Sequence, residues 1–98
     1  MQSIIQADSD HCFLCGMNRN LEPLDCHHVF GGSNRKWSEK YGLTVYLHHK
    51  KCHIFGGDSV HVNAQVRAAL QAVVQKRAMD YYGWTIEQWI EIFGRSFL

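Results

Sequence analysis

The sequence predicts a small α+β domain whose N-terminal part is stapled by metal and whose C-terminal part is helical. Three observations predict it. All four cysteines and all seven histidines fall between His11 and His61. Two short strand-like runs lie among them, an imperfectly alternating one at 24–30 and a β-branched, aromatic one at 43–47. From Ala64 onward the apolar residues recur at helical spacing instead.

A chain of 98 residues is one domain, residues 1–98. A domain of this size buries a thin core and often adds metals or disulfides. No apolar run reaches membrane-spanning length, so no membrane partner is expected. The segment Met1–Asp8 has neither the basic start nor the apolar centre of a secretion signal, so the cytoplasm is the expected compartment. Disulfides are disfavoured there, and metal is the better reading of the cysteines. The formal charge of +1 neither supports nor excludes a polyanion partner. The bases Arg19, Arg35, Lys36, Lys40, Lys50 and Lys51 accompany the His and Cys residues, although such a run is more often just a solvated face.

The elements follow in order. Residues 1–10 are a polar lead-in with one turn or short strand at Ser3-Ile4-Ile5. Cys12-Phe13-Leu14-Cys15-Gly16 is a Cys-x-x-Cys loop, with glycine suited to its tight turn. Leu24 to Phe30 reads as a strand ending at His27-His28, and Gly31-Gly32-Ser33-Asn34 as a loop. Lys36 to Tyr41 forms one or two helical turns closed by Gly42. Leu43 to Leu47 is the clearest strand. The run His48 to His53 opens a short helix that stops at Gly56-Gly57. Asn63 caps a long helix, 64–82, in which Val66, Leu70, Val73 and Arg77 follow helical spacing and Ala69 and Val74 widen the stripe. Gly83 ends it. Thr85 and Gln88 form a capping box, with Trp84 and Trp89 as a hydrophobic staple, for a last helix to about Phe93.

Two metal constellations emerge. Cys12-x2-Cys15 has the spacing of half a structural zinc site, and His49-x2-Cys52 supplies a second pair. His48 and Cys26 are rivals of His49 for the fourth position. A Cys3His set suits Zn(II). The bland alternative is a set of buried or redox-active thiols. A C2H2 finger is excluded because no His follows His28 within three to five residues. A zinc deaminase is disfavoured because no His-x-Glu accompanies a Pro-Cys-x-x-Cys. The second constellation is His27, His28, Asn34, His53 and His61. Neighbours on a strand point to opposite faces, so one of His27 and His28 can bind an ion while the other faces water. His53 and His61 are candidates to complete that ion's shell.

These motifs together resemble an HNH endonuclease of the ββα-metal (treble-clef, His-Me finger) class. The match is carried by Cys12-x2-Cys15, Asp25-Cys26-His27-His28-Val29-Phe30-Gly31-Gly32, Asn34, Gly42 to Leu47, and His49-x2-Cys52-His53. It is most similar to small phage and prophage proteins. The resemblance covers residues 10–62, a zinc-stabilised ββα-metal core, and leaves 63–98 as a two-helix extension without assigned chemistry. It implies that His27, His53 and His61 bind the catalytic ion and that His28 is the general base. It implies that Asn34, with Asn63 as rival, orients that base. It implies a structural Zn2+ on Cys12, Cys15, His49 and Cys52. The catalytic divalent ion would be Mg2+, Mn2+, Ni2+ or Zn2+. Imidazoles titrate near physiological pH and can take a proton from water. Arg35, Lys36, Lys50 and Lys51 would hold the phosphodiester backbone, a contact carrying little sequence information, so DNA binding of weak or no specificity is expected. The exposed helix faces leave a homodimer open. If phage-encoded, the chain acts in the host cytoplasm. Two rival classes are a non-catalytic zinc-stabilised DNA- or protein-binding module and a phage protein that inhibits or recruits a host factor.

Overall fold

The computed structural model describes all residues except Met1, Leu21, Phe55 and Asp58. Strand β1 (Leu24–His28) and strand β2 (Thr44–His48) pair antiparallel, with Asp25 opposite Leu47 and His27 opposite Val45. Between them run a 3-10 turn (Gly32–Asn34) and helix α1 (Arg35–Tyr41). A π-helical turn, His49–Ile54, leaves β2 directly. Helices α2 (Ala64–Tyr82) and α3 (Ile86–Phe93) follow. The strand pair and the turn after it make a small ββα-like unit. Among the described residues no helix is long and apolar enough to cross a membrane.

Each element has a local cause. The Asn63 side chain accepts from the backbone N–H of Gln65 and Val66, satisfying two of the free donors at the start of α2. Thr85 and Gln88 cap each other's backbone at the start of α3. The Trp84 and Trp89 rings lie 6.3 Å apart, as the staple requires. α1 begins at Arg35, one residue before the expected start. Ser3-Ile4-Ile5 forms no strand; the Ile4 N–H instead donates to Gly42 O at 2.9 Å. Gly42 itself has φ of +73°, and a Cβ there would meet Gln2 O at 2.5 Å, so both conformation and space require glycine.

The core differs in one respect from the expected stripe. α2 buries Leu70, Val74, Gln75 and Ala78, whereas Val73, Ala69 and Arg77 are exposed. Gln75 faces inward with Leu70, Val74 and Ala78: its amide donates to Ser96 Oγ at 3.1 Å and accepts from the Phe97 N–H at 2.5 Å. A buried amide with its partners in place is tolerated where an unpaired one is not.

Phe30, two residues beyond the histidine pair, is the hinge between the two halves. Its ring packs edge-on to Trp89 at 5.1 Å and against Phe93 and Phe97 at 5.2 and 4.8 Å. Trp89 is fully buried, stacks on Phe93 at 3.9 Å and donates its indole N–H to Arg95 O at 3.0 Å. The end of β1 is therefore held by the C-terminal helices. Trp89→Ala should lower unfolding stability by ~3–5 kcal/mol. A urea melt showing a loss below about 1 kcal/mol would contradict that anchoring.

Candidate metal centres

The first cluster is Cys12, Cys15, His48 and Cys52, whose ligand atoms all lie within 4.8 Å of one another. A tight hairpin presents the first two. The Cys12 N–H donates to Met17 O and the Gly16 N–H to Cys12 O, both at 2.9 Å, and Gly16 takes a φ of +76°. The Phe13 N–H then donates to Tyr46 O, docking this hairpin on β2. His48 is the last residue of β2 and is fully buried. Its Nε2–H donates to Asn18 O at 2.9 Å, which leaves Nδ1 as a lone pair 3.2 Å from Cys15 Sγ.

His48 thus takes the position expected of His49. The reason is directional. Successive residues leave an extended chain on opposite sides, and His49 Nδ1 contacts Asp25 Oδ2 at 2.5 Å instead. The second ligand pair is therefore His-x3-Cys. Cys26, the other rival, is exposed on β1 and outside the cluster.

The chemistry of the donor set fits zinc. Burial pushes the Cys12 thiol up, but backbone hydrogen bonds from Cys15, His48 and Leu14 outweigh it and bring it down to about 7. Cys52 is pushed up to about 12 by burial and by Cys12 and Cys15 beside it. Thiols this crowded cannot all ionise alone, and a divalent cation relieves that conflict. The cluster can bind a structural zinc ion.

The second cluster is His27, His53 and His61. β1 supplies His27, the π-helical turn supplies His53, and the connector supplies His61. Two backbone bonds place that connector: Val60 N–H to Cys52 O at 3.0 Å and His61 N–H to His53 O at 3.1 Å. The His53 and His61 Nε2 atoms lie 3.2 Å apart. The His27 ring centroid is 5.0 Å from that of His53 and 5.9 Å from that of His61. His27 Nε2 is buried and has no hydrogen-bond partner among the described residues. An orphaned buried nitrogen facing two further imidazoles fits a cation ligand better than a core histidine.

The imidazoles open into a cavity of about 370 Å³ whose lining includes His28, Arg35 and Arg67. Arg67, exposed on α2, donates to Val60 O at 3.0 Å and so stays beside His61. The long helix α2, to which the family resemblance assigns no chemistry, therefore reaches this site. A signal for it was present: Arg67 and Gln71, which also lines the cavity, are one helical turn apart.

The other expected residues divide. His28 Nε2 lies 2.7 Å from Glu39 Oε2 on α1. Asn34 is not at His28; its amide donates to Phe93 O at 2.9 Å, tying the 3-10 turn to the end of α3. Asn63 is occupied as the α2 cap. Arg35 and Lys36 line a groove with His28 and Glu39. Lys51 instead lines a pocket beside the thiolate cluster, and Lys50 is exposed.

No protein-family model matches the chain, and no significant match occurs among curated proteins or solved structures.

His48→Ala should lose about one equivalent of zinc and melt at lower temperature, whereas His49→Ala should retain zinc; the reverse in metal analysis would restore the His49 assignment. Burial, then the charges of His53, His61 and His28, lower the His27 imidazole from 6.5 to about 3. Between those values the unfolded chain binds the extra proton, so stability is complete above the higher value and falls as pH drops below it. In the zinc-loaded chain, acidifying from about pH 7 to about pH 5.5 should lower the melting temperature, and His27→Asn should flatten that slope. An equal slope in the variant would contradict the buried, neutral His27.

Proposed function

We propose that the chain is a metal-dependent DNA endonuclease of the HNH type, with a zinc-stapled treble clef carrying a one-ion phosphodiesterase site. One observation carries the reading: three imidazoles, one with an orphaned buried nitrogen, share a cavity with a fourth histidine and two arginines. His27, His53 and His61 would hold the divalent ion. When bound there, such an ion supplies charge stabilisation to the phosphoryl oxygens and the departing 3′ oxygen.

The remaining roles belong to side chains around the cavity. With its Nε2–H donated to Glu39, His28 keeps Nδ1 as the nitrogen that accepts a proton from water. The water oxygen bonds to phosphorus, the P–O3′ bond breaks, the water proton stays on His28, and the 3′ oxygen takes its proton from solvent. Glu39 orients the base, the role the family resemblance gave to Asn34. The hydrogen bond from His28 holds the Glu39 carboxyl below its usual range, so it is an anion at neutral pH. Arg35 and Arg67 flank the cavity, and Lys36 extends the basic edge along the His28 groove. Guanidinium and ammonium groups hold phosphates without reading bases, so cleavage should show weak or no sequence preference.

Plasmid incubated with the zinc-loaded protein and Mn2+ or Mg2+ should be nicked, and chelator should stop it. His28→Ala should lower the rate by ~10²-fold or more while zinc content stays intact. Glu39→Gln should lower kcat with little change in KM. Tight DNA binding without cleavage in any divalent metal would instead make the chain a zinc-stabilised binding module. A His28→Ala protein cutting at the wild-type rate would remove the base.

A further inference from the structure

We infer that Asp25 is a positioning residue for the imidazole centre: its carboxylate, held between His49 and His53, fixes which nitrogen of His53 faces His27 and His61. The inference rests on the reading of that cluster as a divalent-ion site and is independent of nuclease activity.

Asp25 and His27 are two residues apart on β1 and so share one face of the strand pair. His49 and His53 are four apart on the π-helical turn that follows β2. The antiparallel register brings the two elements together, and one carboxylate oxygen, Asp25 Oδ2, meets both imidazoles. It lies 2.9 Å from His53 Nδ1 and 2.5 Å from His49 Nδ1. A carboxylate only accepts, so each imidazole donates its Nδ1–H.

That assignment decides the other end of His53. A neutral imidazole carries one proton, so a proton on Nδ1 leaves Nε2 as a lone pair. Nε2 is the atom 3.2 Å from His61 Nε2, on the cavity side. His53 is therefore gripped at one nitrogen and offered at the other, the arrangement in which an outer carboxylate orients a ligating histidine and raises its basicity. His49 plays a different part. Its side chain is 43% exposed; it is a member of neither the thiolate nor the imidazole cluster, but its ligand atom lies within 4.8 Å of those of Asp25 and His53. It anchors the same carboxylate from the solvent side, so that Asp25, itself 32% exposed, does not swing into water. The displaced fourth zinc ligand thus acquires a function of its own.

The test is nickel(II) titrated into the zinc-loaded chain, with the side-chain 15N signals of His53 read separately in the nickel-free protein. The wild type should bind one nickel ion, and His53 should be the Nδ1–H tautomer. Asp25→Asn should weaken nickel affinity ~10–100-fold and mix the His53 tautomers, with zinc content unchanged. Asp25→Glu should recover part of the loss. His49→Gln, at a half-exposed position, should weaken nickel binding less than Asp25→Asn. Unchanged affinity and tautomer in Asp25→Asn overturn the inference while the ion site stands. A wild type with no saturable nickel site overturns the ion site, and the inference with it. Two nickel ions in the wild type and one in Asp25→Asn, the survivor binding as before, would make Asp25 a direct ligand and also overturn the inference.

Discussion

The turn that leaves β2 is the constraint on which the rest of the molecule depends. Cys52 and His53 are adjacent, yet Cys52 faces the thiolate cluster and His53 the imidazole cluster. Both clusters are thereby hung from a single turn of six residues, His49–Ile54. Whatever orders one of them orders the other. A zinc ion on Cys12, Cys15, His48 and Cys52 would tie the N-terminal hairpin to β2 and fix the turn from one side. The same rigid turn then presents His53 to His27. In a domain with so thin a core, metal binding is part of folding free energy and is the natural way to hold a loop-borne site rigid.

The helical half completes the scaffold from the other direction. Phe30 inserts among Trp89, Phe93 and Phe97 immediately after the strand that carries His27 and His28. The Asn34 amide fastens the following turn to α3. α2 adds Arg67 to the rim of the cavity. The extension thus supports the site and contributes to its charge. The proposed endonuclease would use this arrangement to keep four histidines in register on three short segments, none of which has enough local contacts to hold its own geometry.

Much of this was legible in the sequence, for physical reasons. Asn63 and Gly83 delimit α2 because caps act locally, and the Thr85–Gln88 box marks α3 for the same reason. The Cys12-x2-Cys15 spacing and the grouping of His27, His53 and His61 were legible because ligand chemistry restricts residue type. What was hidden depends on direction. Choosing His48 over His49 needs the exact end of β2, and boundaries are the least readable feature of a sequence. Asn34 looked like the partner of His28 because it is near in sequence, but Glu39, one turn along α1, is the residue that faces the imidazole. Asp25 had a readable signal, since it shares a strand face with His27 at a spacing of two. The inward turn of Gln75 had none, because Ser96 and Phe97 meet it only once α3 has folded back.

The most direct test of the central claim, two separate ions hung from one turn, is an anomalous difference map from crystals grown with zinc and soaked in a second divalent metal. The account predicts two peaks in each chain. One should lie among Cys12, Cys15, His48 and Cys52 and the other among the rings of His27, His53 and His61. A single peak at the thiolates, with the three imidazoles turned apart, would contradict it.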